Sequence, residues 1–247
     1  MRLLGPDDQA PVLIEAFGDT RAPWLLTADH AGNAVPRVLR DLGMSRPDLE
    51  DHIGIDIGIW PVTVAVAREL RSVAVGQAYS RLVIDCNRRP GTSASIPTVS
   101  DGRAVAGNVG ADAGSRLDEI FAPYHAAIET RLRDGLLICA MHSFTRSLAG
   151  RRRAVDIGVI HGPKARLADA VIGGLADCGL RVVRNSPYQI DFAGDYTLPV
   201  HGEARAADYV ELEICQDLIG DEAGQARLAR IVGAALSRAQ LKLSNAA

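Results

Sequence analysis

The chain has 247 residues, of which 47% are hydrophobic and 23% charged, an ordinary balance for a globular protein with a substantial core. A net charge of −3 and only 4% aromatic residues argue against nucleic-acid binding, which needs a basic patch or stacking platforms. No apolar run approaches the ~20 residues of a membrane span. The start, Met1-Arg2-Leu3-Leu4, is followed by Gly5, Pro6 and two Asp residues, so we expect no signal peptide. The four cysteines are scattered without a CxxC pair, so we expect reduced thiols in a cytoplasmic protein.

Predicted strands and helices alternate through the first half of the chain. Apolar patterns predict strands at Val12–Phe17, Trp24–Thr27, Val73–Val75 and Leu82–Ile84, and helices or helical turns at Arg37–Leu42, Asp48–Ile53, Val62–Leu70 and Ser115–Leu132. The segment from Gly91 to Gly114 is rich in Gly, Ser, Thr and Pro and far exceeds the usual connection of about 4–6 residues. Long loops are often functional, so we interpret this one as a candidate lid.

The alternation continues in the second half. Strands are predicted at Leu136–Met141, Val155–Ile160, Arg181–Val183 and Tyr209–Ile214, and helices at Lys164–Cys178 and Glu222–Leu243, with a polar loop over residues 191–201. No internal repeat and no linker divides the chain. We therefore predict a single α/β domain over residues 1–247, a three-layer α/β/α arrangement around a mixed, mostly parallel sheet.

Polar residues follow several of the predicted strands. Asp29-His30 follows Trp24–Thr27, Asp85-Cys86-Asn87-Arg88 follows Leu82–Ile84, and His142-Ser143 follows another buried strand. In a parallel sheet such ends lie on one edge, so we expect these clusters to converge on one cleft. A histidine beside a carboxylate in that position indicates a metal site or a proton-transfer site.

These clusters contain the residue types that a metal-assisted amide hydrolase needs. A catalytic zinc takes three His or carboxylate ligands and keeps a fourth position for a water molecule, whose pKa it lowers. A nearby carboxylate accepts the proton of that water and passes it to the leaving amine. An arginine fork holds a substrate carboxylate through two hydrogen bonds.

Seven short strings in and after these clusters carry a family resemblance. In chain order they are Asp29-His30-Ala31-Gly32-Asn33-Ala34-Val35-Pro36, Asp56-Ile57-Gly58, Ser80-Arg81-Leu82-Val83-Ile84-Asp85-Cys86-Asn87-Arg88, Met141-His142-Ser143-Phe144, Asn185-Ser186-Pro187-Tyr188, His201-Gly202 and Glu213-Ile214-Cys215-Gln216-Asp217-Leu218. Over most of the chain this pattern resembles the N-formylglutamate amidohydrolase family. That family is similar to zinc carboxypeptidases and aspartoacylase-type deacylases, which implies a phosphorylase/hydrolase-like fold.

The resemblance implies one bound zinc ion per chain, with another divalent metal ion as the alternative. His30 matches the first ligand and His142 the last. The middle ligand of the relatives is a Glu, and Asn33 occupies that place here. We therefore choose Asp56, which opens the corresponding helix. A plain helix cap would also explain Asp56. Asp29 is the competing choice; if it does not bind metal, it orients a ligand histidine.

The resemblance also implies a general base, Glu213. Glu211 lies on the same face of the predicted strand, so the alternation does not separate the two, and only the motif favours Glu213. Asp29 is included with Glu213 in the predicted catalytic set. Three other histidines are interpreted as non-ligands: His52, His125 and His161.

Asn87 and Arg88 match the pair that binds the substrate carboxylate in the relatives. A structural ion pair of Arg88 with Asp85 or another carboxylate is the alternative interpretation of that arginine. The predicted substrate-binding set is completed by Ser143, Tyr188 and His201. Tyr188 and His201 are equally compatible with turn and loop roles.

The function implied by the resemblance is zinc-dependent hydrolysis of N-formyl-L-glutamate to L-glutamate and formate, as in histidine degradation. One alternative keeps the chemistry with another N-acyl amino acid or a peptide, and a second is a non-catalytic ligand-binding protein. A third, a metal-free serine hydrolase using Ser143 beside His142, is disfavoured because the GxSxG elbow is missing and adjacent strand residues point to opposite faces. The expected partner is a small molecule, not nucleic acid or membrane, and the sequence is equally compatible with a monomer and with a small homo-oligomer.

Overall fold

The computed structural model describes residues 2–18 and 22–245. Residues 1, 19–21, 246 and 247 lie outside the described residues, and so do both predicted ends of the domain. The strands, in chain order, are β1 (Val12–Ala16), β2 (Trp24–Ala28), β3 (Val73–Gln77), β4 (Val99–Ser100), β5 (Arg103–Ala104), β6 (Leu137–Phe144), β7 (Ser147–Leu148), β8 (Arg151–Arg152), β9 (Ile157–Ile160), β10 (Val182–Arg184) and β11 (Asp208–Cys215). The α-helices are α1 (Arg46–Glu50), α2 (Ile59–Glu69), α3 (Ala113–Arg116), α4 (Ala122–Glu129), α5 (Arg166–Leu175), α6 (Thr197–His201) and α7 (Glu222–Ser244).

Short helical turns of other kinds complete the structure. A π-helical turn at Leu117–Phe121 joins α3 to α4, and 3-10 turns lie at Arg37–Leu39, Ala106–Asn108, Glu203–Arg205 and Gln216–Leu218. Within the described residues, no helix is long and apolar enough to cross a membrane.

Seven strands form one sheet in the order β1-β3-β2-β6-β11-β9-β10. The four central strands β3, β2, β6 and β11 run parallel to one another, while β1 and β9 pair antiparallel with their inner neighbours and β10 runs parallel to β9. This arrangement confirms the predicted single α/β domain with a mixed, mostly parallel sheet. The remaining strands pair only with each other, as the hairpins β4-β5 and β7-β8.

Both faces of the sheet are covered, because the central strands carry apolar side chains on both sides. Every residue of β2 is buried, as is every residue of β6 except the half-buried Ser143. Helices α2, α5 and α7 pack on one face around a core that includes Trp24 and Val66. On the other face α4 and the loops pack around a core that includes Leu25 and Tyr124. The three layers match the predicted α/β/α arrangement.

The prediction of a strand at Leu82–Ile84 is wrong, because this segment is a buried turn. The amide of Val83 donates to the carbonyl oxygen of Ser80 at 2.8 Å, which turns the chain soon after β3 ends. The apolar side chains of this turn pack into the core beside β3. A short apolar run indicates that the segment is buried but not which backbone conformation it has, so a strand and a buried turn cannot be distinguished from the sequence.

The helix predicted at Arg37–Leu42 is only the 3-10 turn at Arg37–Leu39. Arg40 and Leu42 have φ values of 54° and 59°, in the left-handed region that a right-handed helix does not contain. The helical turn expected at Asp48–Ile53 lies slightly earlier, as α1.

Segments predicted as loops contain some regular structure. The long segment 91–114 carries the hairpin β4-β5, and the polar segment 191–201 ends in α6. His142 and Ser143 lie inside β6 instead of following it, because the strand extends to Phe144. Their side chains are therefore held by the sheet and not by a loop.

Candidate metal centre and active site

A cleft of about 480 Å³ opens at the carboxyl ends of β2, β6 and β11. This is the edge at which open α/β sheets bind their ligands. The residues that line the cleft are His30, Asp56, Arg81, Asn87, Arg88, Thr92, Ser93, Ala94, His142, Ser143, Tyr188, Gln189, Asp191, Gly194, Asp195, Glu211 and Glu213. The predicted convergence of polar clusters on one cleft is therefore confirmed.

His30, Asp56 and His142 form a buried cluster at the base of this cleft, with one possible ligand atom from each lying within 4.8 Å of the others. Nδ1 of His30 lies 3.4 Å from Oδ1 of Asp56, and Nδ1 of His142 lies 3.0 Å from Oδ2 of the same carboxylate. The structure thus brings together the three residues predicted as metal ligands. Their role as ligands stays a prediction.

Local backbone contacts hold Asp56 in this position. Its amide donates to the carbonyl oxygen of His30 at 3.1 Å, and the amide of Ser143 donates to Asp56 Oδ2 at 3.1 Å. Two residues later Gly58 adopts φ 75°, and a Cβ there would lie 2.1 Å from the carbonyl oxygen of Ile219. Glycine is therefore required for the turn that follows Asp56. The side chain of Asp56 does not cap α2, so a helix cap does not explain this residue.

A second carboxylate holds the far nitrogen of each histidine. Nε2 of His30 lies 2.8 Å from Oδ1 of Asp85, and Nε2 of His142 lies 3.1 Å from Oδ2 of Asp29. Both rings consequently turn their Nδ1 atoms towards Asp56. Histidines that bind metals usually have this arrangement, because a carboxylate on the outer nitrogen fixes the ring and raises its basicity.

Asp29 is placed behind the cluster and does not line the cleft. Its Oδ1 accepts hydrogen bonds from the hydroxyls of Tyr124, at 2.8 Å, and Thr197, at 2.6 Å. Burial opposes its ionisation, but the hydrogen bond and charge of the neighbouring imidazole lower the pKa of Asp29 to about 2. This geometry matches the orienting role. Asn33, the other candidate for middle ligand, donates to the carbonyl oxygen of Leu49.

The electrostatics of the cluster keep its carboxylates ionised. Although burial opposes ionisation, the two imidazoles hold the pKa of Asp56 well below its usual value. The same holds for the pKa of Asp85, which His30 and Arg81 lower. Burial and the charge of Arg81 work against the protonation of His30, yet Asp85 and Asp56 raise its pKa. Burial likewise opposes protonation of His142, yet hydrogen bonds to carboxylates raise the pKa of His142 well above its usual value.

The residues present fit a divalent metal ion. Nδ1 of His30 is buried and has no hydrogen-bond partner among the described residues, although it faces a carboxylate oxygen. Two lone pairs that face each other inside a protein need a proton or a cation between them. Two imidazole nitrogens and a carboxylate oxygen are a donor set that Zn²⁺ commonly takes in catalytic sites.

Glu213 and Glu211 both reach the cleft from β11, as the alternation indicated. In the parallel pairing of β11 with β6, Glu213 lies opposite His142, whereas Glu211 lies opposite Ala140, farther from the strand ends. Burial raises the pKa of both carboxyls, and that of Glu213 lies well above its usual value. Oε2 of Glu213 is buried without a hydrogen-bond partner in the described part of the chain. The register therefore distinguishes two residues that the sequence pattern did not.

Asn87 and Arg88 lie side by side in the wall of the cleft. Oδ1 of Asn87 accepts from the amide of Thr197 at 3.1 Å, which leaves the Nδ2 donors for a ligand. Nη1 of Arg88 forms an ion pair with Oδ1 of Asp195. Arg88 therefore forms the structural ion pair that the sequence left open, with Asp195 as the carboxylate.

The three remaining predicted substrate-binding residues have different positions. Ser143 lines the cleft, and its hydroxyl donates to the carbonyl oxygen of Ile57 at 3.0 Å. Tyr188 also lines the cleft and is 41% exposed. His201 does not line it: the ring is buried with Nε2 3.0 Å from Nδ1 of His125. Helix α6 packs against α4, which carries His125, and His201 therefore faces α4 and not the cleft.

Several residues that support the site had no predicted role. Arg81 lines the cleft, with Nη2 2.8 Å from Asp85 Oδ2 and Nη1 3.4 Å from Asp56 Oδ1. The Arg81 and Asp85 pair was visible as opposite charges four residues apart within one motif. Tyr124 and Thr197 reach Asp29 from distant segments, and no local pattern marks such contacts.

Comparison with known proteins identifies relatives of this fold and site. A family model of N-formylglutamate amidohydrolases matches residues 22–220. The gene product Atu2144 from Agrobacterium tumefaciens has a similar structure, with a TM-score of 0.91 and 28% identity over 98% of this chain and 100% of that chain. N-formylglutamate amidohydrolase from Ralstonia eutropha JMP134 has a TM-score of 0.70 and 19% identity, over 96% of this chain and 100% of that chain. No curated protein sequence matches the chain significantly.

Proposed function

The chain belongs to the N-formylglutamate amidohydrolase family, and from this premise we propose that it hydrolyses the amide bond of an N-acyl amino acid with the help of a metal ion. N-formyl-L-glutamate is the proposed substrate, and L-glutamate and formate are the products. The observation that carries the proposal is the buried His30–Asp56–His142 cluster, with a carboxylate on the outer nitrogen of each histidine.

His30, Asp56 and His142 are the proposed ligands of one Zn²⁺ ion. Such an ion lowers the pKa of a water molecule and polarises the scissile carbonyl group. Asp85 and Asp29 act on the reaction through the histidines: each holds one ring so that its Nδ1 atom faces the ligand position.

Glu213 is the proposed general base. Its unpaired Oε2 takes a proton from the attacking water as the water oxygen adds to the acyl carbon. The same carboxyl group then gives that proton to the nitrogen as the C–N bond breaks, so that the amine leaves neutral. Burial raises the pKa of Glu213, which makes its carboxylate a stronger proton acceptor than an exposed one.

Asn87 and Arg88 are proposed to hold a carboxylate of the substrate. The Nδ2 group of Asn87 is free to donate, and Asp195 engages only one edge of the Arg88 guanidinium. The planar guanidinium has five N–H donors, so a second edge is available for two parallel hydrogen bonds. Arg81, which faces the cleft beside Asp56, is placed to stabilise negative charge that develops on the acyl oxygen.

The position of Ser143 does not favour the serine hydrolase alternative. Its hydroxyl donates to a backbone carbonyl oxygen instead of to an imidazole, so no base is in position to activate it. Histidine degradation remains part of the proposal, because the resemblance to the family implies it. A cytoplasmic location remains the expectation from the scattered cysteines.

Turnover of N-formyl-L-glutamate tests the proposal. The purified protein is treated with a chelator and divided, and the two halves are assayed with and without added Zn²⁺. Hydrolysis of N-formyl-L-glutamate is followed by formate release. N-acetyl-L-glutamate and a glutamyl dipeptide are tested in parallel as alternative substrates. We expect formate release only after zinc addition. Hydrolysis of another acyl compound alone would assign a different substrate, and ligand binding without any turnover would favour the non-catalytic alternative.

A further inference from the structure

Tyr188 lies at the rim of the cleft, where its side chain contacts Arg153. Nη1 of Arg153 donates a hydrogen bond to the Tyr188 hydroxyl oxygen at 2.7 Å. The guanidinium carbon of Arg153 also lies 4.8 Å from the centroid of the Tyr188 ring. The arginine therefore restrains both the ring and its hydroxyl group.

Arg153 is itself held in place. Its guanidinium lies 5.7 Å from the centroid of the buried Phe144 ring, which ends β6 two residues after His142. Its amide donates to the carbonyl oxygen of Arg146 at 2.8 Å, at the base of the hairpin β7-β8. Because both supports are fixed to the sheet, Arg153 connects the strand that carries His142 with the loop that carries Tyr188.

The base of the hairpin is anchored by Arg146. Its side chain donates to the carbonyl oxygen of Val155 at 2.8 Å and forms ion pairs with Asp156, at 2.9 Å, and Asp217, at 3.1 Å. These contacts join the hairpin to the segments before β9 and after β11. The position of Arg153 is thus determined by the folded sheet and not by a free loop.

The direction of the Arg153–Tyr188 hydrogen bond has a chemical consequence. Arginine has only donors, so the Tyr188 oxygen is the acceptor and its own proton is left for another partner. The ring lines the cleft, which contains Glu213 and Arg81. A hydroxyl that accepts from a cation is also a stronger donor, because the cation withdraws electron density from its oxygen.

We propose that Arg153 is a positioning residue that orients the Tyr188 hydroxyl to donate a hydrogen bond to a substrate oxygen in the cleft. This inference rests on the proposed function, because it assumes a substrate with acceptor oxygens at this site. Arg153 itself does not line the cleft; it acts through Tyr188.

A double-mutant cycle tests the coupling. Arg153→Gln, Tyr188→Phe and the double variant are compared with the wild-type protein for kcat and KM on N-formyl-L-glutamate. A contact made equally in the ground and transition states changes KM alone, so we expect Arg153→Gln to raise KM about tenfold with kcat within about threefold. In the Tyr188→Phe background the same substitution should change KM less than about twofold, and Arg153→Lys should restore part of the loss.

Equal effects of Arg153→Gln in both backgrounds, or no effect in either, would overturn the proposal. A readout without substrate separates it from the proposed function. With ¹³Cζ-labelled tyrosine, the five tyrosines give five resonances, and Tyr188→Phe identifies that of Tyr188. We expect Arg153→Gln to shift this resonance and to leave the other four in place, even if N-formyl-L-glutamate is not the substrate; an unshifted Tyr188 resonance would contradict the positioning role.

Discussion

Oδ1 of Asp85 lies 2.8 Å from Nε2 of His30, on the edge of the ring opposite the atom that faces Asp56. The other carboxylate oxygen of Asp85 lies 2.8 Å from the guanidinium of Arg81. Asp85 therefore joins a proposed metal ligand to a cation in the cleft wall. The corresponding carboxylate behind His142 is Asp29, so that both histidines have the same outer support.

Replacement of Asp85 should weaken metal binding without removing a ligand. Asp85→Asn keeps the shape but loses the charge that orients His30, and we expect zinc affinity to fall by about 10- to 100-fold. Affinity is measured by competition with a chromogenic chelator. Asp51→Asn is the control, because Asp51 also pairs with a histidine, at 2.9 Å from Nδ1 of His52, but lies outside the cluster. Unchanged affinity in Asp85→Asn would contradict the orienting role.

The two glutamates of β11 should differ in their effect on the chemical step. We expect Glu213→Gln to lower kcat by about 10² to 10⁴-fold while zinc content is retained, because the variant can still bind metal but cannot take a proton. Glu211→Gln, from the same strand face, is the control and should lower kcat less than about tenfold. Steady-state kinetics with zinc-loaded proteins gives the comparison. A larger loss in Glu211→Gln would exchange the two assignments.

Much of this site was predictable from the sequence because its parts lie in short motifs. His30, His142 and Asn87-Arg88 each follow or end an apolar segment, so their place at the edge of the sheet follows from the strand pattern. The wrong strand at Leu82–Ile84 did not affect that placement, because a buried turn delivers Asn87-Arg88 to the same cleft.

Other parts of the site depend on contacts between distant segments. His201 belongs to a family-like motif, yet the packing of α6 turns it towards His125, which no local pattern reveals. The choice between Glu213 and Glu211 needs the register of β11 against β6, since both residues have the same side-chain direction. The ion pair of Arg88 with Asp195 joins residues that are far apart in the chain.

Arg88 should determine the preference for a carboxylate substrate. N-formyl-L-glutamine and N-formyl-L-isoglutamine each replace one carboxylate of N-formyl-L-glutamate with a neutral amide. For the wild-type protein we expect the kcat/KM of one of these two amides to be about 10- to 100-fold below that of N-formyl-L-glutamate. The reason is that the amide lacks the carboxylate charge that pairs with Arg88. Arg88→Lys should reduce that preference, since lysine lacks the planar fork. An undiminished preference in Arg88→Lys would show that another group binds the carboxylate.

His125 should make the folded protein sensitive to acid. Burial lowers the pKa of His125 from its usual 6.5 to about 4 in the folded state. Between these two pH values the unfolded chain therefore binds more protons than the folded protein. The free energy of unfolding falls as the pH falls from ~6.5 to about 4, and His125 accounts for a loss of about 3 kcal/mol over this range. Burial also lowers the pKa of its neighbour His201, so His201 likewise destabilises the folded protein as the pH falls.

Urea unfolding of the wild-type protein and His125→Gln at a series of pH values isolates this contribution. Titrations of the cluster histidines occur in both proteins and cancel in the difference. We expect the stability advantage of the wild-type protein to shrink steadily as the pH falls from about 6.5 to about 4. A difference that is constant over this range would mean that the pKa of His125 is not lowered.

Zinc content is the measurement that tests the proposed metal centre most directly. Wild-type protein, His142→Ala and Asp56→Ala are loaded with zinc, dialysed and measured by elemental analysis, with His161→Ala as a control histidine outside the cluster. We expect about one zinc per chain in the wild-type protein and in His161→Ala, and almost none in the two cluster variants. A wild-type protein that retains no zinc, or cluster variants that retain as much as the wild type, would contradict a metal site at His30, Asp56 and His142.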